Sequence, residues 1–144
     1  MGKPRYTLIL SQQPTEEERG IVTAGLDAFS ESLGDVPPFD YQPVAAFVKD
    51  NGNQILGGLI GGTYWQWLHV QSLWVDSVLR GEGFGRDLLL TAEREAVRRG
   101  CIGAYVNTHD FQALGFYQKQ GYAIAGELAD FPPGYRRYML QKRF

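Results

Sequence analysis

Val22, Leu26, Phe29 and Leu33 recur at spacings of four, three and four, which draws one apolar stripe down a helix and leaves the opposite face polar. Pro14-Thr15-Glu16-Glu17-Glu18 precedes the stripe, and Thr15 with Glu18 matches a capping box with acids in the first turn. The helix therefore starts at Thr15, and Gly34 can terminate it. Upstream, residues 5–10 hold a β-favouring run that predicts a first strand. Downstream, residues 34–43 carry three prolines, too many for a helix interior or a central strand, and read as an irregular surface segment able to border a site.

The pattern then changes period. Residues 44–49 and 55–64 are strand-like runs separated by Asp50-Asn51-Gly52-Asn53, and Asn-Gly is a strong hairpin signal, so the two should pair antiparallel. Gly57, Gly58, Gly61 and Gly62 weaken the second run as a regular strand and mark a bulge or a close backbone approach. Residues 67–75 predict another strand, 83–99 a helix ended by Gly100, and 102–106 a β-rich run. A short helix over 111–120 is closed by Gly121, and strands follow over 122–127 and, after Pro133-Gly134, over 135–144. The order is β, α, three β, α, β, α, two β. Hairpins supply antiparallel pairs, and the helical crossover between Val75 and Ile102 permits one parallel pair, so the fold class is a mixed α/β sheet, α+β in character.

Composition adds limits rather than detail. At 144 residues, 44% hydrophobic and 21% charged, the chain suits one soluble domain over residues 1–144. The formal charge of −2 lacks the basic footprint of a nucleic-acid or anionic-membrane binder. Residues 51–75 carry no formal charge, but Gln54, Gln66, His69 and Gln71 and the glycine pairs make them sheet rather than a membrane span. Residues 1–11 contain too short an apolar run for a secretion signal. Cys101 is the single cysteine beside two histidines, so neither an internal disulfide nor a zinc site free of carboxylates can form, and no metal is expected. A reducing, cytoplasmic setting is the expectation.

The candidate chemistry starts at residues 73–90, which read as strand, glycine-rich turn and helix. Gly81, Gly83 and Gly85 allow close backbone approach, and the free N–H groups at the helix start suit phosphate oxygens, with Arg80 and Arg86 adding positive charge. The same layout also serves packing alone. A dinucleotide fingerprint fails because Arg86 stands where its third glycine belongs, and the Gly-Lys-Ser/Thr of a P-loop is absent.

Arg80-x-x-Gly83-x-Gly85 resembles the Arg/Gln-x-x-Gly-x-Gly/Ala signature of the GNAT superfamily, the Gcn5-related N-acetyltransferases, which cradles the pyrophosphate of acetyl-CoA. Ala113-Leu-Gly-Phe-Tyr117-Gln-Lys-Gln-Gly121-Tyr122 is similar to that family's Ala-x-x-aromatic-Tyr-x-x-x-Gly-Phe/Tyr segment. The element order also matches the family's central, mostly antiparallel twisted sheet flanked by helices. The resemblance implies direct transfer of an acetyl group from acetyl-CoA to a primary amine of a small molecule or peptide in a ternary complex. The alternative is an acyl-CoA-binding sensor without turnover; a domain whose glycine turn only packs a helix is a further rival.

By resemblance, the strand over residues 73–78 splays from its neighbour and offers backbone groups to pantetheine. The implied acetyl-CoA contacts are Leu73, Trp74 and Val75 on the strand, and Arg80, Gly81, Glu82, Gly83, Phe84, Gly85 and Arg86 on the turn. Asn107 completes the implied set, three residues before Asp110, which stands where the family often places its CoA-contacting asparagine. Tyr117 matches the tyrosine that protonates the departing thiolate; without the motif it would read as a packed aromatic. His69 falls where the histone-acetylating branch carries its catalytic glutamate, and an imidazole can accept an amine proton near neutrality. A histidine between core positions is the plainer reading, and Asp76, Glu127 or a water chain are alternative bases. His109 reads as structural or solvent-facing, and Cys101 as buried rather than nucleophilic. Phe39, Tyr41, Trp65 and Trp67 are candidates for an acceptor pocket, and Asp35, Asp40 and Asp130 for attracting a cationic amine. Members of the family are often dimers, so a homodimer is an open expectation.

Overall fold

The computed structural model describes residues 5–144, and residues 1–4, the start of the stretch read against a secretion signal, lie outside them. Internal contacts separate two compact units, one ending at Pro38 and the other spanning Phe39–Phe144. The first holds α1 (Glu16–Ser32), and its capping box is formed as expected. Thr15 Oγ1 accepts from the Glu18 amide at 3.1 Å, and a Glu18 carboxylate oxygen accepts from the Thr15 amide at 2.8 Å. Residues 6–10 form no strand, contrary to their β-favouring composition. Leu8, Ile9 and Leu10 are all exposed, and strand propensity reflects the fit to a half-buried pleated surface, which this run does not obtain.

The second unit is a six-stranded sheet made of β1 (Gln42–Lys49), β2 (Ile55–Tyr64), β3 (Trp67–Val75), β4 (Gly103–His109), β5 (Ala123–Ala129) and β6 (Arg136–Arg143). Spatial order is β1-β2-β3-β4-β6-β5. Every pair is antiparallel except β3–β4, which the crossover helix α2 (Phe84–Arg98) joins in parallel. The β1–β2 hairpin turns at the Asn-Gly as expected. The β2–β3 turn does not use glycine: Trp65 and Gln66 adopt φ of 47° and 64°, and the Asp40 carboxylate accepts from the Trp65 amide at 2.8 Å.

One face of the sheet is the core. Leu59, Leu68, Val70, Ala104, Val106 and Leu140 pack there against Leu88, Leu89, Ala92 and Ala96 of α2. Two polar clamps fix the helix. Arg99 donates to the Gln42 and Pro43 carbonyls and to Thr63 Oγ1, while buried Glu93 accepts from Tyr122 Oη at 2.7 Å and Lys142 Nζ at 2.8 Å. The last helix, α3 (Leu114–Lys119), is shorter than its apolar pattern suggests, because Gln112 closes a turn onto the His109 carbonyl before it starts.

Candidate active site

The parallel ladder lasts only four pairs, from Trp67 opposite Gly103 to Val70 opposite Val106. β3 continues to Val75 and β4 to His109, so past Val70 and Val106 the two strands part. The parting begins at a bulge. Ile60 pairs with Ser72 but Gly61 with Val70, which leaves Gln71 as an extra residue. Gly61 permits this, since a Cβ there would stand 2.2 Å from the His69 carbonyl oxygen. The extra residue also resets the alternation, so that Leu68 and Val70 before it, and Leu73 and Val75 after it, all pack toward α2. Residues 73–75 pair with β2 on one side and with no described strand on the other, while the Trp74 side chain is half exposed.

The strand ends at Val75 rather than running to residue 78. Asp76 caps a 3₁₀ turn over Ser77–Leu79, its carboxylate accepting from the Val78 amide at 3.0 Å. Gly81 and Gly83 then take φ of +83° and +85°, and left-handed Gly83 is the N-cap of α2 with no side-chain cap. The first helical amide to be satisfied is that of Asp87, which donates to the Gly83 carbonyl at 3.0 Å. Among the described residues, the amides of 82–86 have no such acceptor, so a row of N–H groups faces outward at the positive end of the helix dipole. Arg86 lies against Asp87 at 3.3 Å, both side chains exposed, and Arg80 Nε reaches the Val75 carbonyl at 3.5 Å. A Cβ on Gly85 would sit 3.4 Å from the Phe116 ring and 4.0 Å from Val75, so the turn, the free end of β3 and α3 meet at this glycine.

Tyr117 follows Phe116 on α3 and is 96% buried, with Phe116 and Tyr122 edge-on at 5.2 and 5.6 Å. Its hydroxyl has no protein hydrogen-bond partner among the described residues, yet no buried side-chain oxygen lacks one, which places the hydroxyl at the solvent-accessible surface. Burial pushes its pKa up to about 12, so the phenol keeps its proton at neutrality.

His69 lies across the sheet. Leu68 and Val70 point to α2, so His69 points to the opposite face, where its ring stacks on Tyr105 at 4.4 Å and 4°. The Tyr105 hydroxyl is hydrogen-bonded in turn to that of Tyr64. Partial burial lowers the imidazole pKa from 6.5, leaving the ring neutral at pH 7 with a lone pair to offer. Asn107 is the first β4 residue past the last parallel pair and shares the face of Tyr105 and His109.

The other candidates divide. Glu127 is paired with Arg136 at 3.1 Å, and Asp76 is engaged as a cap. Phe39, Tyr41 and Trp65 gather with Tyr64 at ring distances of 5.5–6.3 Å, whereas Trp67 packs over Gly103 and under Arg143. Cys101 is buried, and burial raises its thiol pKa, as befits an inert cysteine. His109 is tied to Gln112 at 2.9 Å and stacked on Phe111. Among the described residues no group of three or more His, Cys, Asp or Glu side chains is placed to hold a metal, and no helix is long and apolar enough to cross a membrane. Sequence reasoning missed the Gln71 bulge, the Tyr105 stack and the aromatic surface around His109, because each depends on which strands become neighbours.

Comparison with known proteins agrees with this geometry. Residues 11–122 match the model of the acetyltransferase (GNAT) family. The chain is 43% identical over 115 residues to the blasticidin-S acetyltransferase of Streptomyces morookaense, an alignment covering 77% of this chain and 85% of the relative. The crystal structure of an acetyltransferase from Bacillus cereus superposes with a TM-score of 0.85 at 30% identity, covering 94% of this chain and 98% of the other. An aminoglycoside 6'-N-acetyltransferase solved with coenzyme A shares the fold at TM-score 0.62 and 21% identity, over 70% of this chain and 72% of its own. With the family match over residues 11–122 and a relative 43% identical, the chain belongs to the GNAT family of acetyltransferases.

Proposed function

We propose that this acetyltransferase moves the acetyl group of acetyl-CoA to a primary amine of a small molecule by direct attack in a ternary complex. The observation that carries the reading is the four-pair ladder opening at Gln71 beside a helix whose first-turn amides are unpartnered. The residues present fit this co-substrate. The amides of 82–86 and Arg80 suit the pyrophosphate, and the free edge of residues 73–75 and Asn107 suit the amide-bearing pantetheine arm. Acetyl-CoA supplies an activated acyl carbon and a thiolate leaving group.

The chain's own residues divide the protons between the two faces of the sheet. Neutral His69 accepts the proton that the amine loses on attack, and Tyr117 gives its proton to the sulfur as the carbon–sulfur bond breaks. The relative that acetylates blasticidin S favours a small-molecule acceptor over a peptide.

Titration calorimetry with acetyl-CoA, with NAD and ATP as controls, tests the binding half. Micromolar affinity, about −8 kcal/mol at 1 μM, is expected for acetyl-CoA alone. Free-thiol release across a panel of primary amines tests the transfer half, and the absence of amine-dependent release from a protein that binds acetyl-CoA would reduce the reading to a sensor.

The base assignment has its own signature. Protonation of His69 removes the lone pair, so kcat/KM should fall as pH drops through a value below 6.5, the direction in which burial moves this group. His69→Gln should abolish that limb, and an unaltered profile would move the role to a water chain.

A further inference from the structure

His69 and Tyr105 stand opposite each other in the parallel β3–β4 ladder, one pair before it ends. Their side chains leave the sheet on the same face, and the rings stack with planes 4° apart and centroids 4.4 Å apart. On its other flank His69 pairs with Gly62, which brings no side chain, so Tyr105 is the directly paired neighbour with a ring to offer. Glycine is required at 62, because a Cβ there would stand 2.3 Å from the Tyr41 ring that lies over the strand. Among the described residues, burial alone acts on the imidazole pKa, with no hydrogen bond or charge contributing. No buried side-chain nitrogen lacks a partner, so the ring nitrogens reach solvent. The plane of this ring is therefore not set by the hydrogen-bonded carboxylate or carbonyl that usually orients a catalytic histidine. It is set by the stack.

Tyr105 is itself held. Its hydroxyl is hydrogen-bonded to that of Tyr64, and because β3 lies between β2 and β4, this bond spans the strand that carries His69. Tyr64 in turn sits among Phe39, Tyr41 and Trp65, at ring distances of 5.5, 6.3 and 6.1 Å. Beyond Tyr105, β6 places the neutral Gln141 opposite it. The titratable groups facing His69 are thus the phenols of Tyr105 on β4, Tyr64 on β2 and Tyr41 over Gly62, while the cation at this end of the face, Arg143 of β6, lies over the Trp67 ring at 5.4 Å. Burial, and then the bond to Tyr64, push the Tyr105 phenol up, so it stays neutral throughout the range in which an imidazole titrates. The terminal torsion of histidine is broad, and a fixed neutral ring against one face restricts it while leaving the nitrogen-bearing edge open.

We propose that Tyr105, anchored by Tyr64, is the positioning residue for His69, its stack fixing the imidazole plane so that a ring nitrogen meets the acceptor amine. The proposal rests on the reading of His69 as general base and names the residue through which that base is held. Tyr105 touches no reacting atom; it preserves the attack geometry and covers one face of the ring from water. Losing its ring has two separable consequences. The imidazole turns more freely, which slows proton acceptance, and it is re-solvated, which returns its pKa upward toward 6.5.

The test is amine-dependent thiol release against pH for the wild type, Tyr105→Leu, Tyr105→Phe, His69→Gln and the double variant Tyr105→Leu with His69→Gln. Tyr105→Leu should lower kcat about tenfold, leave KM for acetyl-CoA within about twofold, and move the acidic limb of kcat/KM upward. Tyr105→Phe keeps the stack and loses only the bond to Tyr64, so it should keep the limb in place and kcat within about threefold. In the His69→Gln background, Tyr105→Leu should cost less than about twofold, because no imidazole is left to position. Proton NMR gives a readout free of turnover. The chain has two histidines, so His109→Gln leaves the His69 ring as the single imidazole signal. Its titration midpoint should rise on Tyr105→Leu and stay put on Tyr105→Phe. Tyr105→Val, a good strand former, supplies the same contrast if the leucine variant does not fold. A loss that persists undiminished in the His69→Gln background, or a midpoint unmoved by removal of the ring, would overturn the positioning role and leave His69 as base. An acidic limb that survives His69→Gln would overturn the base reading and this proposal together.

Discussion

Tyr117→Phe should lower kcat roughly 100-fold, about 2.7 kcal/mol of barrier, while acetyl-CoA affinity stays within about twofold. The asymmetry follows from the surroundings of the side chain. Its ring is packed against Phe116 and Tyr122, and phenylalanine keeps both contacts. Among the described residues its hydroxyl has no protein partner to lose, so the fold does not depend on it. What disappears is the proton needed when the thiolate leaves, a demand that exists only in the transition state. Stopped turnover with retained binding is therefore the signature to seek, by calorimetry and thiol release on the same preparation. Burial lifts this phenol to about 12, so its acid form survives on the alkaline side, and Tyr117 itself should cause no fall in rate between pH 8 and 11. A Phe variant with unchanged kcat would show that solvent protonates the sulfur and would return Tyr117 to a packing role.

The features legible in the sequence are those whose signal is local. The capping box at Thr15, the Asn-Gly hairpin and the helix opening at Gly83 each depend on a few adjacent residues, and each stands where the spelling put it. The run over residues 6–10 misled because its β-favouring composition says nothing about a partner strand. The strand glycines do mark a bulge and a close approach, but the cause lies on the neighbouring strand. The extra residue is Gln71 of β3, and Gly61 of β2 is the residue that tolerates it. No property of Gln71 itself marks it. The opening between β3 and β4 is likewise a relation between two strands separated by a helix, visible only once Val70 is known to face Val106. Tyr117 is singled out by its motif, yet its depth and its hydroxyl without a partner among the described residues are tertiary facts. His69 shows the reverse limit, because alternation alone could not say which face of the sheet carries the core.

Gly83→Glu should abolish measurable acetyl-CoA binding, a loss of at least about 100-fold, in a protein that still folds. Two terms act at this residue and can be separated. A side chain at φ +85° costs about 1–2 kcal/mol of backbone strain, and the space itself is available because an added Cβ would meet only the mobile end of Arg86, at 3.1 Å. The new carboxylate then sits at the positive end of α2, where its interaction with the helix dipole offsets part of that strain by about 0.3–1 kcal/mol. The fold is thus nearly compensated, but the same carboxylate occupies the row of unpartnered amides and repels any pyrophosphate that approaches it. Gly83→Ala carries the strain without the charge and should lose less than about tenfold. The contrast between the two variants, not either alone, isolates anion binding at the turn. Equal affinities for Glu and Ala would mean that the amides of 82–86 do not face the phosphates, and the glycine turn would then serve only to bring α2 close against Phe116 and Val75.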